Sequence, residues 1–364
     1  DGAAINNAGA AKAITITLLP ALNGVEISIT RIADFDIVVT PYGSETIQSG
    51  APGGTFTINN RGTMVLACRS DGAWEIVIEP LASAIGVVNL RSFGNNGAAL
   101  YAACVSLQDY ETLLIPADSY DLSDHTTGFP ITANNCHITS LGTPVLDFGG
   151  YTGILLTGGD QNDVTVSNLH LKNFSNTGIG VPIDGTQEQY TKQRITIHDC
   201  KITDASSATA PMYAISLKAI TKQCKVYNNH IENIVSTATA SNPHVYGIYL
   251  GLKCDNATRE PDPVEQYAYG YDGSDITTAE GSNFITGNTI RKLRGAGAAV
   301  ADAVTGILVD GWRCVITGNI IEDVVYNGGY SPFVAGVGLY ARGFNHVINS
   351  NAVTDCSYSY IEYK

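Results

Sequence analysis

The segments Phe284-Ile-Thr-Gly-Asn-Thr-Ile290 and Val315-Ile-Thr-Gly-Asn-Ile-Ile321 superpose almost residue for residue at a spacing of 31. Four more segments fall on the same line. They are Val164-Thr-Val-Ser-Asn-Leu-His-Leu171, Ile195-Thr-Ile-His-Asp-Cys-Lys-Ile202, Lys225-Val-Tyr-Asn-Asn-His-Ile231 and Val347-Ile-Asn-Ser-Asn-Ala-Val353. Aligned at Leu169, Cys200, Asn229, Asn288, Asn319 and Asn351, the spacings are 31, 29, 59, 31 and 32. A second anchor follows most of these lines: Gly178-Ile179, Ala214-Ile215, Gly247-Ile248, Gly306-Ile307 and Gly336-Val337. Two anchors moving together define an internal repeat.

Each unit has room for about three short strands separated by turns. A single unit cannot bury its inward apolar residues. Units stacked about 4.8 Å apart share one continuous core. The repeat therefore predicts an all-β fold over 126–364, a right-handed parallel β-helix with coils of roughly 30 residues. Asn at one turn of successive coils, as at Asn229, Asn288, Asn319 and Asn351, predicts a ladder of amide hydrogen bonds. The 59-residue step contains a stretch, about 253–282, with no alternating apolar pattern, and is assigned as one coil carrying an inserted loop.

Outside the repeat, residues 1–80 alternate apolar and polar in short runs such as Ile14-Thr-Ile-Thr-Leu18 and Val25-Glu-Ile-Ser-Ile29. Bounded by Gly, Pro and Asn, these runs predict a small N-terminal β module. Residues 81–125 form a linker with a short helix that caps the open end of the solenoid, where an unpaired edge would invite aggregation.

Composition agrees. The chain has 364 residues, 44% hydrophobic and 15% charged, with 38 Gly, 19 Tyr and only 2 Met, which favours turns and strands over helices. The net charge of −14 argues against nucleic-acid partners and anionic membrane surfaces. No apolar run approaches the ~20 residues of a membrane span. The eight Cys lack paired metal-type spacing and sit in apolar contexts, so buried free thiols and a reducing assembly compartment are expected. With no metal cluster, P-loop or dinucleotide fingerprint, no metal or cofactor is expected. The opening Asp1-Gly-Ala-Ala4 has neither an initiator Met nor a secretion pattern, so a piece of a longer protein is expected.

Two stretches carry a resemblance. Pro41-Tyr-Gly-Ser-Glu-Thr-Ile47 followed by Ser70-Asp-Gly-Ala-Trp74 is similar to adaptor modules of phage tail proteins. Phe93-Gly-Asn-Asn-Gly-Ala-Ala-Leu-Tyr-Ala-Ala103 with Leu113-Leu-Ile-Pro-Ala-Asp-Ser-Tyr-Asp-Leu122 resembles the start of bacteriophage tailspike and pectate-lyase-like β-helices. Here Asp118 stands where that family commonly has Gly, and its acidic Asp-Asp-Thr is missing. The resemblance implies a homotrimer in the virion tail, attached to other tail proteins through its N-terminus. It also implies an endo-acting depolymerase for a bacterial surface polysaccharide, capsule or O-antigen. The family has no universal catalytic motif, so candidate residues come from the repeat itself.

Strand alternation turns His230 and Glu232 outward if Asn229 and Ile231 face in. The same register places Glu232, Arg291 and Glu322 on three consecutive coils, with the two carboxylates about 9.6 Å apart. Inverting glycosidases hold theirs ~6.5–9.5 Å apart. Arg291 between them would favour the ionised form of both, which suits a base better than an acid. A lyase would instead need a base and a cation beside a uronate, for which Lys201, His230 and Arg291 are candidates. Asp310 is a further carboxylate candidate beside the inserted loop. In that loop Tyr267, Tyr269 and Tyr271 can stack on sugar rings, and Glu265 and Asp272 can bond hydroxyls. The competing readings are an ordinary surface ion-pair ladder for the first group and a subunit-packing loop for the second. At the level of function, the rivals are a non-catalytic glycan receptor-binding spike and a cellular pectate-lyase-like enzyme.

Overall fold

The computed structural model describes most of 3–78, with breaks, and then 86–182, 190–238, 244–251, 281–295, 304–326 and 336–363. Nearly all regular structure is strand, and three long sheets are built from strands the chain visits in rotation. Sheet I has nine strands, from Val87–Asn89 and Thr112–Pro116 through Thr196–His198, Lys225–Tyr227, Phe284–Thr286 and Val315–Thr317 to Val347–Asn349. Sheet II has eight, from Ser119–Asp121 through Lys201–Ser207, His230–Ser236, Thr289–Gly295 and Ile320–Tyr326 to Ala352–Cys356. Sheet III also has eight, from Phe129–Ile131 through Met212–Leu217, Val245–Leu250, Val304–Trp312 and Gly336–Phe344 to Tyr358–Tyr363.

Within each sheet, every strand pairs in parallel with its equivalent in the next repeat, for example Ile202 with Ile231, Ile231 with Ile290, and Ile290 with Ile321. This pairing is compatible with a β-helix solenoid. It begins at Val87, earlier than the boundary at 126 drawn from the repeat. Lys225–Tyr227 pairs directly with Phe284–Thr286, so the 59-residue step spans one repeat, and its extra chain lies between Gly251 and Gly281. The second anchor needs one correction: Gly306 faces Gly338, because Ile307 pairs with Leu339 and Val304 with Gly336. A Cβ on Gly306 would lie 2.5 Å from the Gly338 carbonyl oxygen, so that position has no room for a side chain.

The corners explain why Asn, Asp and Gly recur. One corner turns on a single residue with positive φ in each repeat: Asn168, Asp199, Asn228, Gly287, Gly318 and Ser350. Another turns on Asn173, Asp204, Asn233, Lys292, Asp323 and Asp355. Short polar side chains tolerate this left-handed conformation because they can bond locally, and Gly because it lacks a Cβ. Beside the first corner the predicted amide ladder forms. Asn229 Nδ2 donates to Asn288 Oδ1 (3.0 Å), Asn288 Nδ2 to Asn319 Oδ1 (2.9 Å), and Asn319 Nδ2 to Asn351 Oδ1 (2.9 Å). Each amide also caps a carbonyl one repeat back, such as Val226 O from Asn288. The buried amides are thereby satisfied without water.

One apolar cluster runs through the interior from Val88 to Ala341, with most members fully buried. The helix Gly97–Ser106 covers its N-terminal side with Leu100, Ala103 and Cys104, and is capped by Asn96 Oδ1 and Asp124 Oδ1. A separate core centred on Ile29, Val39, Met64 and Trp74 serves the N-terminal sheets, which include antiparallel pairs. Seven cysteines are free thiols, six of them buried, as expected; Cys254 lies outside the described residues.

Lys192 is fully buried on a small fourth sheet. Its Nζ donates to the carbonyls of Gly158 and Gly159 and to Gln161 Oε1. Burial lowers its pKa to about 8. Between that value and the ordinary lysine value near ~10.4 the unfolded chain binds more protons than the folded one, so stability rises with pH there.

Two outcomes follow. Asn288→Ala should cost about 1–3 kcal/mol in chemical denaturation because it strands buried partners, and Asn351→Ala, at the half-exposed end of the ladder, should cost less. Equal losses would contradict the ladder's role. Denaturation of Lys192→Met against the parent across the alkaline window should remove the upward slope assigned to Lys192.

Candidate functional site

Two outward faces carry the chemistry. On sheet II the predicted register holds: Thr203, Glu232, Arg291, Glu322 and Thr354 form one outward row. His170, Lys201, His230, Thr289 and Ile320 form the row beside it. Glu232 accepts from Lys292 Nζ (2.6 Å) and contacts His230 Nε2 (3.1 Å). These two partners, Lys292 first, hold its carboxyl below the usual range. Arg291 Nε lies 3.0 Å from Glu322 Oε2, off hydrogen-bond direction, so that contact is an ion pair. The expectation that Arg291 governs Glu232 is corrected: Lys292, lifted by its left-handed corner (φ 53°), takes that place.

These pairs are solvent-exposed, with 57% and 29% of the Lys292 and Glu232 side chains open and 43% and 40% of Arg291 and Glu322. Exposed pairs of this kind are screened by solvent and contribute little to stability. The arrangement is an ion-pair ladder along the stacking direction. Lys201 is exposed and His170 Nε2 bonds Thr203 Oγ1 (2.9 Å).

Sheet III presents a different surface. Its inward residues, among them Ile215, Ile248, Ile307 and Leu339, belong to the main core, while Tyr213, Tyr246, Tyr249 and Leu308 form a second cluster with Tyr340 against it. The rings pack at centroid distances of 5.0 Å (Tyr213–Tyr246), 5.2 Å (Tyr246–Tyr249) and 6.0 Å (Tyr213–Tyr249). His244 stacks on Tyr246 at 5.6 Å. Asp310 closes the group: only 9% exposed, it accepts a hydrogen bond from the Tyr249 hydroxyl (3.1 Å). Gly251 makes this possible. Its φ is +106°, and a Cβ there would lie 2.9 Å from the Asp310 Cβ and collide with its carbonyl.

The stretches 239–243, 252–280, 296–303 and 327–335, which precede or follow sheet III strands in the chain, lie outside the described residues; single left-handed residues turn sheet I into sheet II. Long connections on a rigid scaffold are where binding groups concentrate. Tyr267, Tyr269, Tyr271, Glu265 and Asp272 lie outside the described residues. Of the residues named from sequence, Asp310 lies in this group; Tyr213, Tyr246, Tyr249 and His244 were not named. Their signal was available: aromatic residues at outward positions of consecutive repeats, beside the Gly-Ile anchor.

No metal-type grouping of His, Cys, Asp and Glu occurs among the described residues. No helix is long and apolar enough to cross a membrane among them.

No protein-family description matches this chain, and no curated protein matches it. One solved structure, described as Geobacillus virus E2 - ORF18, matches with 11% identity and a TM-score of 0.25. The match covers 94% of this chain and 71% of the other. A likeness of that size transfers neither fold nor activity.

A folded carboxyl held below its ordinary pKa contributes stability above the ordinary range, and loses it as pH falls through the folded value. Lys292→Met should therefore raise the Glu232 carboxyl toward the ordinary range in a carbon-detected NMR titration. It should also shrink the stability that Glu232 contributes near neutral pH and loses on acidification.

Proposed function

We propose that this chain is a phage tailspike-like protein, a right-handed parallel β-helix that binds and cleaves a bacterial surface polysaccharide. The observation that carries the reading is the buried carboxylate of Asp310 set against stacked tyrosines. The buried tyrosines hold Asp310 out of bulk water, and a carboxyl in such an aromatic setting is suited to proton transfer at a glycosidic oxygen. Endo-hydrolysis is favoured over elimination, with Asp310 as one of the two carboxyls such a reaction uses. The exposed ion-pair ladder of Glu232, Lys292, Arg291 and Glu322 then keeps the outer wall of sheet II ordered. The phage assignment, a homotrimeric virion-tail location and attachment through residues 1–80 rest on the sequence resemblance.

The test is incubation with a panel of capsular and O-antigen polysaccharides, followed by sizing and mass analysis of products. Hydrolysis gives new reducing ends with added water; an unsaturated, ultraviolet-absorbing end would move the reaction to the lyase class. Asp310→Asn should lower the rate at least about 100-fold, as expected for a proton-transfer group, while Glu232→Gln and Glu322→Gln keep most of it. The reverse pattern would move the chemistry to sheet II. Binding with unchanged polymer length would favour a receptor-binding spike without catalysis.

A further inference from the structure

The outer face of sheet I carries a feature that neither the ion-pair ladder nor the Asp310 group uses. One outward row on consecutive strands reads Ser167, His198, Tyr227, Thr286 and Thr317. In its middle the His198 and Tyr227 rings stack nearly parallel, with centroids 4.7 Å apart and planes 4° from each other. That separation matches the strand spacing of about 4.8 Å, so backbone pairing sets the distance between the rings. His198 is held a second time. Asp199 at the left-handed corner (φ 53°) places Oδ2 2.6 Å from His198 Nδ1, and an ionised carboxylate only accepts, so Nδ1 carries the proton. That bond fixes the ring orientation.

On either side of the rings the row drops to short hydroxyl residues. Before His198 lies Ser167, whose Oγ bonds Thr139 Oγ1 (2.9 Å); after Tyr227 lie Thr286 and Thr317. Two rigid rings therefore stand as a wall on a sheet face floored with hydroxyls. Both ring residues are partly exposed. A wall of this kind differs from a packed aromatic pair in a core, where apolar neighbours cover both outer faces. It also differs from a cationic groove, since Lys225 is the one charged side chain on the strand of Tyr227.

We propose that the His198–Tyr227 stack is a sugar-binding subsite, in which a neutral pyranose ring packs on an exposed ring face and bonds the flanking hydroxyls. The C–H hydrogens on one face of a pyranose are weakly positive and meet the negative face of an aromatic ring. On the Tyr227 face turned toward Thr286, the equatorial hydroxyls at the ring edge meet the Thr286 and Thr317 hydroxyls. Pre-organised rings lose little conformational freedom on binding, which is where rigid aromatic contacts gain affinity. The subsite would hold the polymer on a wall away from Asp310, as a second point of attachment, and in this it rests on the glycan reading above. Two weak sites on one chain raise the overall hold on a polymer through effective concentration.

The test is an NMR titration of the full chain with the methyl glycosides of glucose, galactose, mannose and N-acetylglucosamine at millimolar concentration. At least one should move the His198 ring and Tyr227 ring signals saturably. Tyr227→Ala should weaken that response at least about tenfold, a change of about 1.4 kcal/mol. Thr286→Leu, which fills the floor and leaves both rings in place, should do the same. Unmoved ring signals with all four glycosides would overturn the proposal, as would shifts that survive in both variants. The readout contains no cleavage. Ring shifts without depolymerisation would sink the enzymatic reading alone, and depolymerisation with silent rings would sink the subsite alone.

Discussion

Parallel backbone pairing between equivalent strands of successive repeats is the constraint on which everything else depends. It sets the axial step, and the step sets which side chains become neighbours. Ile202, Ile231, Ile290 and Ile321 form one inward column because their strands pair in register; Thr203, Glu232, Arg291 and Glu322 form an outward row for the same reason. A slip by one residue would exchange the two. Register is held by the left-handed corners and by the amide ladder, whose donors and acceptors meet only when each repeat sits over the last.

The three faces then diverge although they share one scaffold. Sheets I and II are joined by single-residue corners, which leave no length for loops, so their outer faces display only what the strands carry. On sheet II that is charge of both signs in alternation, and the ions neutralise one another in water. On sheet I it is hydroxyls around two stacked rings. On sheet III the outward residues are buried tyrosines with a carboxylate among them. Chemistry that needs desolvation belongs on the third face; the first two suit contact with a solvated partner.

Much of the fold is legible in the chain itself, because periodicity survives without coordinates. Asn229, Asn288 and Asn319 advertised the ladder, and the apolar alternation around them gave the inward and outward assignment. The Gly336-Val337 anchor misled because two glycines, Gly336 and Gly338, lie two residues apart and both precede an apolar residue. Only strand pairing distinguishes them. The partner of Glu232 was hidden for a similar reason: Lys292 is not in the same row, and it reaches the carboxylate because a left-handed corner redirects it.

The sequence by itself determined the repeat length, the identity of the inward column, the ladder and the register of the outward rows, since each follows from spacing along one chain. Tertiary structure decided which outward groups are buried and how they pair. Burial of Asp310 against Tyr249, separated by 61 residues, depends on a close approach that the glycine at 251 permits. The parallel stacking of His198 on Tyr227 depends on side-chain rotamers pinned by Asp199. Neither burial nor rotamer is a property of spacing; both arise only when separate strands share the same space.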